Sequence, residues 1–206
     1  MKYEHYTPEA VILANGEYPS HPLPLQMLEN AEFVVCCDGA ANTYIRSGRM
    51  PEAIVGDGDS LLPDIKERYA SLIHSEAEQE TNDLSKAFRF CLSQERKRIT
   101  IMGATGKRED HTIGNVSLLA DYMEQAEVSM MTDYGIFVPI REDSMFESYI
   151  GQQISVFNMN STALSAEGLA YPLSVFTNWW QGTLNEALAK HFIIRTEGKV
   201  LVFRTF

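Results

Sequence analysis

Short apolar segments alternate with helical patterns up to about residue 130 of this 206-residue chain. The apolar segments predict buried strands at residues 10–13, 33–36, 53–55, 72–73, 99–101 and 128–131. The spacing of apolar residues between them predicts helices at residues 24–30, 40–47, 64–70, 83–93 and 112–123. Strand-helix alternation is typical of a parallel sheet with helices on its faces, so we expect an α/β fold here.

The last two predicted helices each have apolar residues at helical spacing, which predicts one buried face per helix. In the first of them the face comprises Leu84, Ala87, Phe88, Cys91 and Leu92. In the second it comprises Ile113, Val116, Ala120 and Met123.

The pattern changes after about residue 132. Short β-like segments follow one another at residues 136–138, 145–150, 153–157, 163–164, 191–195 and 199–204, separated by Gly, Asn, Asp or Pro. The turn Thr196-Glu197-Gly198 between the last two is typical of a hairpin. We therefore predict two domains, an α/β domain at residues 1–130 and a small all-β sandwich at residues 131–206.

Composition excludes several classes of partner. The formal net charge of −11 and the lack of a basic stripe argue against binding nucleic acid. No apolar segment is long enough to span a membrane, and the N-terminus lacks the features of a signal peptide. Three cysteines, Cys36, Cys37 and Cys91, are too few for a disulfide framework, which favours thiols in a reducing compartment. We expect a cytoplasmic protein with no membrane or nucleic-acid partner.

The segment Gly56-Asp57-Gly58-Asp59 directly follows the predicted strand at residues 53–55. Two carboxylates one residue apart repel each other unless a cation lies between them, and Mg²⁺ prefers such oxygen ligands. Asp38-Gly39 also follows a predicted strand, but a turn or a helix cap would explain it by itself. Asp83 and Lys86 allow two interpretations: a helix start with an ordinary i, i+3 pair, or a third metal carboxylate with a phosphate-binding lysine.

The segment GATGKREDHTIGN, residues 103–115, contains glycines and cations between a predicted strand and a predicted helix. Glycines let a backbone approach phosphate, and a helix N-terminus supplies N–H donors. The segment is not a Walker A loop, and His111 is either an acid-base group or a solvated polar residue. With no covalent nucleophile in a recognisable motif, these features favour phosphoryl transfer, which depends on positioning and charge stabilisation.

The ordered set CDGAAN, IVGDGDS, QETNDLSK and GATGKREDHTIGN resembles the nucleotide-binding domain of thiamin pyrophosphokinases. The family pattern is roughly DGGAN, GDxDS, Q-x-x-T-D-x-T-K and GG-x-x-G-R-x-D-Q/H, and the match covers residues 10–125. Farther on, GLAYPL and GTLNE resemble two segments of the family's C-terminal β-sandwich, although Leu184 stands where Ser is usual. The resemblance implies transfer of a pyrophosphoryl group from ATP to the hydroxyl of thiamin, giving thiamin diphosphate and AMP.

The resemblance also implies roles for individual residues. Those matching the Mg²⁺-binding acids are Asp57, Asp59 and Asp83. Those expected around ATP and its phosphates are Asp38, Asn42, Asp57, Lys86, Thr105, Gly106, Arg108 and Asp110. The catalytic set is Asp57, Asp59, Asp83, Arg108 and Asp110. On the thiamin side, the expected contacts are Gln79, Asp83, Trp180 and Asn185, the last lent by the other subunit of a homodimer with shared active sites.

Two other functions fit part of this pattern. A nucleotide-sugar transferase also binds a metal-nucleotide through a D-x-D pair, but the segments QETNDLSK and GATGKREDHTIGN do not support it. A non-catalytic thiamin or nucleotide sensor would not need Asp57, Asp59 and Asp83 together. The adjacent Trp179 and Trp180 are interpreted either as core or interface packing of the β-domain or as a surface that stacks on a cationic aromatic substrate.

Overall fold

The computed structural model describes residues 7–75 and 80–206. The chain forms two compact units. The parallel-sheet unit comprises Thr7–Leu118 and Gln125–Asp133, and the β unit comprises Leu119–Glu124 and Tyr134–Phe206. The domain boundary at residues 130/131 stays a prediction. No helix among the described residues combines the length and apolarity needed to cross a bilayer.

The parallel-sheet unit is built on six strands: β1 Ala10–Leu13, β2 Val34–Cys37, β3 Ala53–Val55, β4 Ile73–His74, β5 Arg98–Met102 and β6 Glu127–Met131. Their order in the sheet is β6-β5-β1-β2-β3-β4, and all neighbours are parallel. Every residue of β1, β2 and β3 is buried. Continuous apolar sequence suits strands covered on both faces, so the predicted parallel α/β fold is confirmed.

Five helices connect these strands: α1 Pro22–Asn30, α2 Ala40–Arg46, α3 Pro63–Arg68, α4 Asp83–Ser93 and α5 Glu109–Tyr122. Helix α4 has the predicted bounds because Asn82 caps it, its side chain accepting a hydrogen bond from the Ser85 backbone N–H at 2.9 Å. Leu84, Phe88 and Cys91 are buried on its predicted apolar face. The face predicted for α5 is wrong. Ile113 is 59% exposed, and the buried residues of the helix are Leu119 and Tyr122, so its inward stripe is rotated from the predicted one.

The β unit contains seven strands: β7 Gly135–Ile140, β8 Ser144–Glu147, β9 Gln153–Asn158, β10 Leu164–Glu167, β11 Asn185–Glu186, β12 His191–Thr196 and β13 Val200–Thr205. One sheet has the order β11-β9-β13-β7 and the other β10-β12-β8, with antiparallel neighbours in both. Ile154 and Val202 of the first sheet and Phe146 and Phe192 of the second belong to one buried core. The predicted all-β sandwich is confirmed.

The hairpin predicted at Thr196-Glu197-Gly198 is wrong. Strands β12 and β13 flank this turn, but they belong to different sheets of the sandwich. Gly198 has φ +122°, and a Cβ at this position would lie 2.8 Å from the Cα of Ser161. The turn that connects the two sheets therefore requires glycine at this position. A glycine-containing turn between two β segments is the same sequence pattern that predicts a hairpin, so the two cases cannot be told apart locally.

Candidate active site

The strand order of the parallel sheet reverses between β1 and β5. In open α/β sheets, ligands bind beyond the carboxyl ends of the strands at such a point. The loops that follow β1, β2 and β5 surround a cleft of about 400 Å³ at this position. Its lining residues are Ala14, Asn15, Gly16, Cys37, Asp38, Ser60, Asn82, Asp83, Leu84, Ala104, Thr105, Lys107, Arg108, His111, Thr112 and Asn115.

Asp38, directly after β2, is a buried carboxyl group in the wall of this cleft. It is 6% exposed and has φ +38°, a conformation that Asp adopts more easily than most residues. Its Oδ2 accepts a hydrogen bond from the Ser60 backbone N–H at 3.0 Å, whereas Oδ1 has no donor among the described residues. Burial raises the pKa of Asp38, and the nearby charges of Asp57 and Asp83 add to this effect.

The loop after β3 has the conformation that its two glycines permit. Gly56 and Gly58 have φ +150° and +75°, and a Cβ at Gly56 would lie 2.9 Å from Asp38 Cβ and 3.3 Å from Asp83 Oδ2. Asp57 and Asp59 are exposed, and Asp57 Oδ1 accepts a hydrogen bond from the Asp59 backbone N–H at 3.1 Å. Asp38, Asp57 and Asp83 therefore lie around Gly56.

Asn42 and Lys86 support this region from outside the cleft lining. Asn42 donates to the Ser60 carbonyl at 2.8 Å and accepts from the Leu62 N–H at 3.0 Å, so its amide holds the end of the loop after β3. Lys86 is buried, and its Nζ donates to Asp83 Oδ1 at 3.3 Å. Both predicted ATP contacts thus have structural partners in the chain.

Arg108 and Asp110 form a two-point ion pair at the start of α5. Arg108 Nε lies 3.1 Å from Asp110 Oδ1, and Nη2 lies 2.6 Å from Oδ2. The hydrogen bonds that Arg108 donates to Asp110 lower the pKa of Asp110 and raise the pKa of Arg108. Arg108 lines the cleft, whereas Asp110 lies outside the lining.

The remaining predicted residues of the parallel-sheet unit have different places in the structure. Thr105 lines the cleft. Gly106, with φ +88°, lies outside the lining and lets the chain turn into α5. Gln79 lies outside the described residues. No three His, Cys, Asp or Glu side chains in residues 7–75 and 80–206 form a ready metal site. The set Asp57, Asp59 and Asp83 consequently stays a prediction.

The predicted thiamin contacts of the β unit differ sharply in exposure. Asn185 is buried: its Oδ1 accepts from the backbone N–H of Tyr171 and of Glu186, and its Nδ2 donates to the Tyr171 carbonyl at 2.8 Å. Its amide holds two segments of the β unit together. Trp180 is 73% exposed, so core packing does not account for it, while Trp179 has an edge contact with Phe157 at 6.0 Å between ring centroids.

Asn15 and Gly16, which line the cleft after β1, were not predicted as site residues. The Gly16 N–H donates to the Gly103 carbonyl at 2.6 Å, and a Cβ at Gly16 would lie 2.3 Å from that oxygen. The only local signal was an Asn-Gly pair at the end of a predicted strand. Its place in the site follows from the pairing of β1 with β5, which are far apart in sequence.

Comparison with known proteins agrees with this architecture. The family model "Thiamin pyrophosphokinase, catalytic domain" matches residues 25–131, and "Thiamin pyrophosphokinase, substrate-binding domain" matches residues 135–203. The chain belongs to the thiamin pyrophosphokinase family. This confirms the family identification made from the four sequence segments.

Two curated relatives show how far the likeness to this family extends in sequence. Thiamine pyrophosphokinase 1 of Oryza sativa subsp. japonica is 29% identical over 154 residues, which is 63% of this chain and 58% of the relative. Thiamine pyrophosphokinase 2 of Arabidopsis thaliana is 30% identical over 149 residues, 60% of this chain and 55% of the relative. The chain thus spans little more than half the length of these relatives.

Solved structures of the family share the fold. The thiamine pyrophosphokinase of Bacillus subtilis superposes with a TM-score of 0.79 at 21% identity, covering 95% of this chain and 98% of that one. The thiamin pyrophosphokinase of Geobacillus thermodenitrificans gives a TM-score of 0.77 at 22% identity, covering 96% and 97%. At these identities the likeness concerns the architecture of both units.

Proposed function

We propose that this protein transfers the pyrophosphoryl group of ATP to the hydroxyl of thiamin, giving thiamin diphosphate and AMP. The observation that carries the proposal is the cleft at the strand-order reversal, lined by Asp38, Asp83 and Arg108 in a chain of this family. Carboxylates beside an arginine and a glycine-rich loop are the groups that phosphoryl transfer needs, because the reaction depends on positioning and charge stabilisation.

The cleft fits a divalent cation, which we propose to be Mg²⁺. Asp38, Asp57 and Asp83 offer the hard oxygen ligands that Mg²⁺ prefers, and the buried Oδ1 of Asp38 has no donor in the described part of the chain. These three residues, with Asp59 on the same loop, would hold the ion. Bound there, it would supply charge neutralisation for the nucleotide phosphates.

Arg108 would bind the transferring group. Arg108 lines the cleft, and its two-point pair with Asp110 favours one orientation of the guanidinium, which reduces the side-chain freedom lost on binding phosphate. Asp110, with its pKa held low, is a weak proton acceptor, which favours an orienting role over that of a general base. A loose phosphoryl transition state requires little help from a base.

Thiamin would bind through residues of the β unit in a homodimer with shared active sites. Five large apolar side chains of the β unit that are each at least half exposed support this, because a second subunit could cover them: Ile150, Tyr171, Trp180, Leu184 and Leu188. The molar mass from light scattering during gel filtration tests the dimer.

A cytoplasmic location stays a prediction, in keeping with three free, buried cysteines.

The decisive experiment incubates the protein with ATP, Mg²⁺ and thiamin and separates the products chromatographically. AMP and thiamin diphosphate in equal amounts are the expected products. ADP would indicate transfer of a single phosphate. A parallel incubation with a nucleotide sugar in place of ATP tests the transferase alternative, which a glycosylated product would indicate. Either result would overturn the proposed activity.

A further inference from the structure

Lys107 is a cationic residue of the cleft that has no role in the proposed mechanism. It lines the cleft beside Arg108 and is exposed. In the family pattern quoted above, GG-x-x-G-R, glycine directly precedes the arginine, and this chain has Lys107 there. The lysine is therefore a feature of this chain that the family resemblance does not account for.

Contacts hold the Lys107 ammonium in place from the direction of the loop after β1. Its Nζ donates to the Asn15 carbonyl at 2.9 Å and lies 3.5 Å from Asn15 Oδ1. The Asn15 side chain lies against the loop after β2: a Cβ on Gly39 would be 2.6 Å from its Nδ2, so only glycine leaves room for it. The ammonium thus sits where the loops after β1, β2 and β5 meet.

The charge of Lys107 is not compensated within the described part of the chain. Arg108 is paired with Asp110 and Lys86 with Asp83, whereas no acidic side chain of residues 7–75 and 80–206 pairs with Lys107. A lysine ammonium has three N–H donors, and both contacts with Asn15 leave one for a ligand. An exposed, positioned cation with a spare donor in a cleft is suited to an anionic group.

We infer that Lys107 binds a phosphate group of the nucleotide, with Asn15 as the residue that positions its ammonium. The inference rests on the proposed function for the identity of the anion. Lys107 would be a second cation beside Arg108 on the same segment, at a position where the family pattern has glycine. The lysine binds the phosphates as a point charge, in contrast to the two-point geometry of Arg108.

Isothermal titration tests this without turnover, using ATP, inorganic tripolyphosphate and adenosine as separate probes at fixed Mg²⁺. Lys107→Met should weaken ATP and tripolyphosphate binding about tenfold, the scale of one exposed charge-assisted hydrogen bond. Adenosine binding should stay within about twofold, because adenosine lacks phosphate. Lys97→Met is the matched control: it removes the same charge just before β5, at the opposite end of that strand.

Lys107→Gln separates the charge from the contact with Asn15, since glutamine keeps an N–H donor without the charge. Gln should bind ATP as weakly as Met does. Wild-type affinity in Lys107→Gln, unchanged affinity in Lys107→Met, or equal weakening of adenosine and ATP would each overturn the inference. If Lys107→Met weakens ATP binding as expected but the wild-type protein makes no thiamin diphosphate, the proposed function alone is overturned.

Discussion

The ammonium of Lys86 lies 3.3 Å from Asp83 Oδ1, one turn earlier in the same helix. The two side chains differ in environment: that of Lys86 is 8% exposed and that of Asp83 is 36% exposed. Asp83 is thus the cleft-facing member of a pair whose other member is buried. Its carboxylate neutralises a buried cation and lines the proposed phosphate site at the same time.

Asp83→Ala should therefore cost stability as well as activity. It leaves the Lys86 ammonium buried without its partner, and such a loss costs roughly 1–3 kcal/mol in the free energy of unfolding. We expect the lower end because Asp83 is partly solvated. Urea unfolding without Mg²⁺ measures this, with the exposed Asp57→Ala as the control, expected to stay within about 0.5 kcal/mol. Equal losses in both variants would contradict the structural role of Asp83.

Asp57→Asn and Asp59→Asn should lower kcat without harming the fold. Both side chains are exposed, and Asn keeps the size and the oxygen that can accept a hydrogen bond in the turn. Loss of an electrostatic group of this kind typically lowers kcat about 10²-fold or more. Steady-state assays at saturating Mg²⁺ are the measurement. Wild-type turnover in both variants would remove the metal-binding role assigned to this loop.

Asp38→Asn should stabilise the metal-free protein at neutral pH. The pKa of Asp38 is raised in the folded state, so the folded protein binds its proton more tightly than the unfolded chain does. The ionised carboxylate consequently destabilises the fold above that raised pKa, and the cost disappears as the pH falls to the ordinary value of 3.8. Asn removes this cost and tolerates the positive φ.

Thermal unfolding of both proteins in EDTA between pH 4 and 8 tests this. The variant should have the higher midpoint at pH 7 to 8, and the difference should shrink towards pH 4. A variant that is less stable at every pH would show that the Asp38 carboxylate stabilises the apo protein. Activity should be lost in either case, because a buried oxygen of the proposed metal site changes.

Trp180 and Trp179 should respond differently to replacement by Leu. Trp180 is largely exposed, so Trp180→Leu should leave stability within about 0.5 kcal/mol and raise the KM for thiamin about tenfold, the scale of a desolvated cation-π contact. Trp179→Leu loses the edge contact with Phe157, which costs about 0.5–1.5 kcal/mol. An unchanged thiamin KM in a folded Trp180→Leu protein would exclude Trp180 from the substrate site.

Local sequence was sufficient to predict those parts of the fold and site that depend on local physics. The bounds of α4 followed from its apolar spacing and a polar cap before Asp83, and the bounds of β1 and β3 followed from short apolar segments. Asp38 and Ala104 each follow a strand, and the carboxyl ends of parallel strands share one edge of the sheet. The cleft lined by both residues agrees with that arrangement.

The parts that could not be predicted depend on pairing between distant segments. Asn15 enters the site because β1 pairs with β5, and nothing in the Asn-Gly dipeptide encodes that pairing. The buried residues of α5 depend on the elements that pack against the helix. The spacing of apolar residues within α5 therefore predicted the wrong face. The hydrogen bonds of the Asn185 amide with the Tyr171 backbone, fourteen residues earlier, also join distant segments. The predicted contact of Asn185 with thiamin stays a prediction.

The crossing turn at Gly198 has a consequence for how the β unit is made. It delivers β13 between β9 and β7, so this strand is synthesised after both of the strands that it pairs with. Until residues 200–205 leave the ribosome, the facing edges of β9 and β7 have no strand between them, and open edges invite pairing with other chains. We expect this unit to close only after β13 has been synthesised, with its risk of aggregation concentrated in the interval before that.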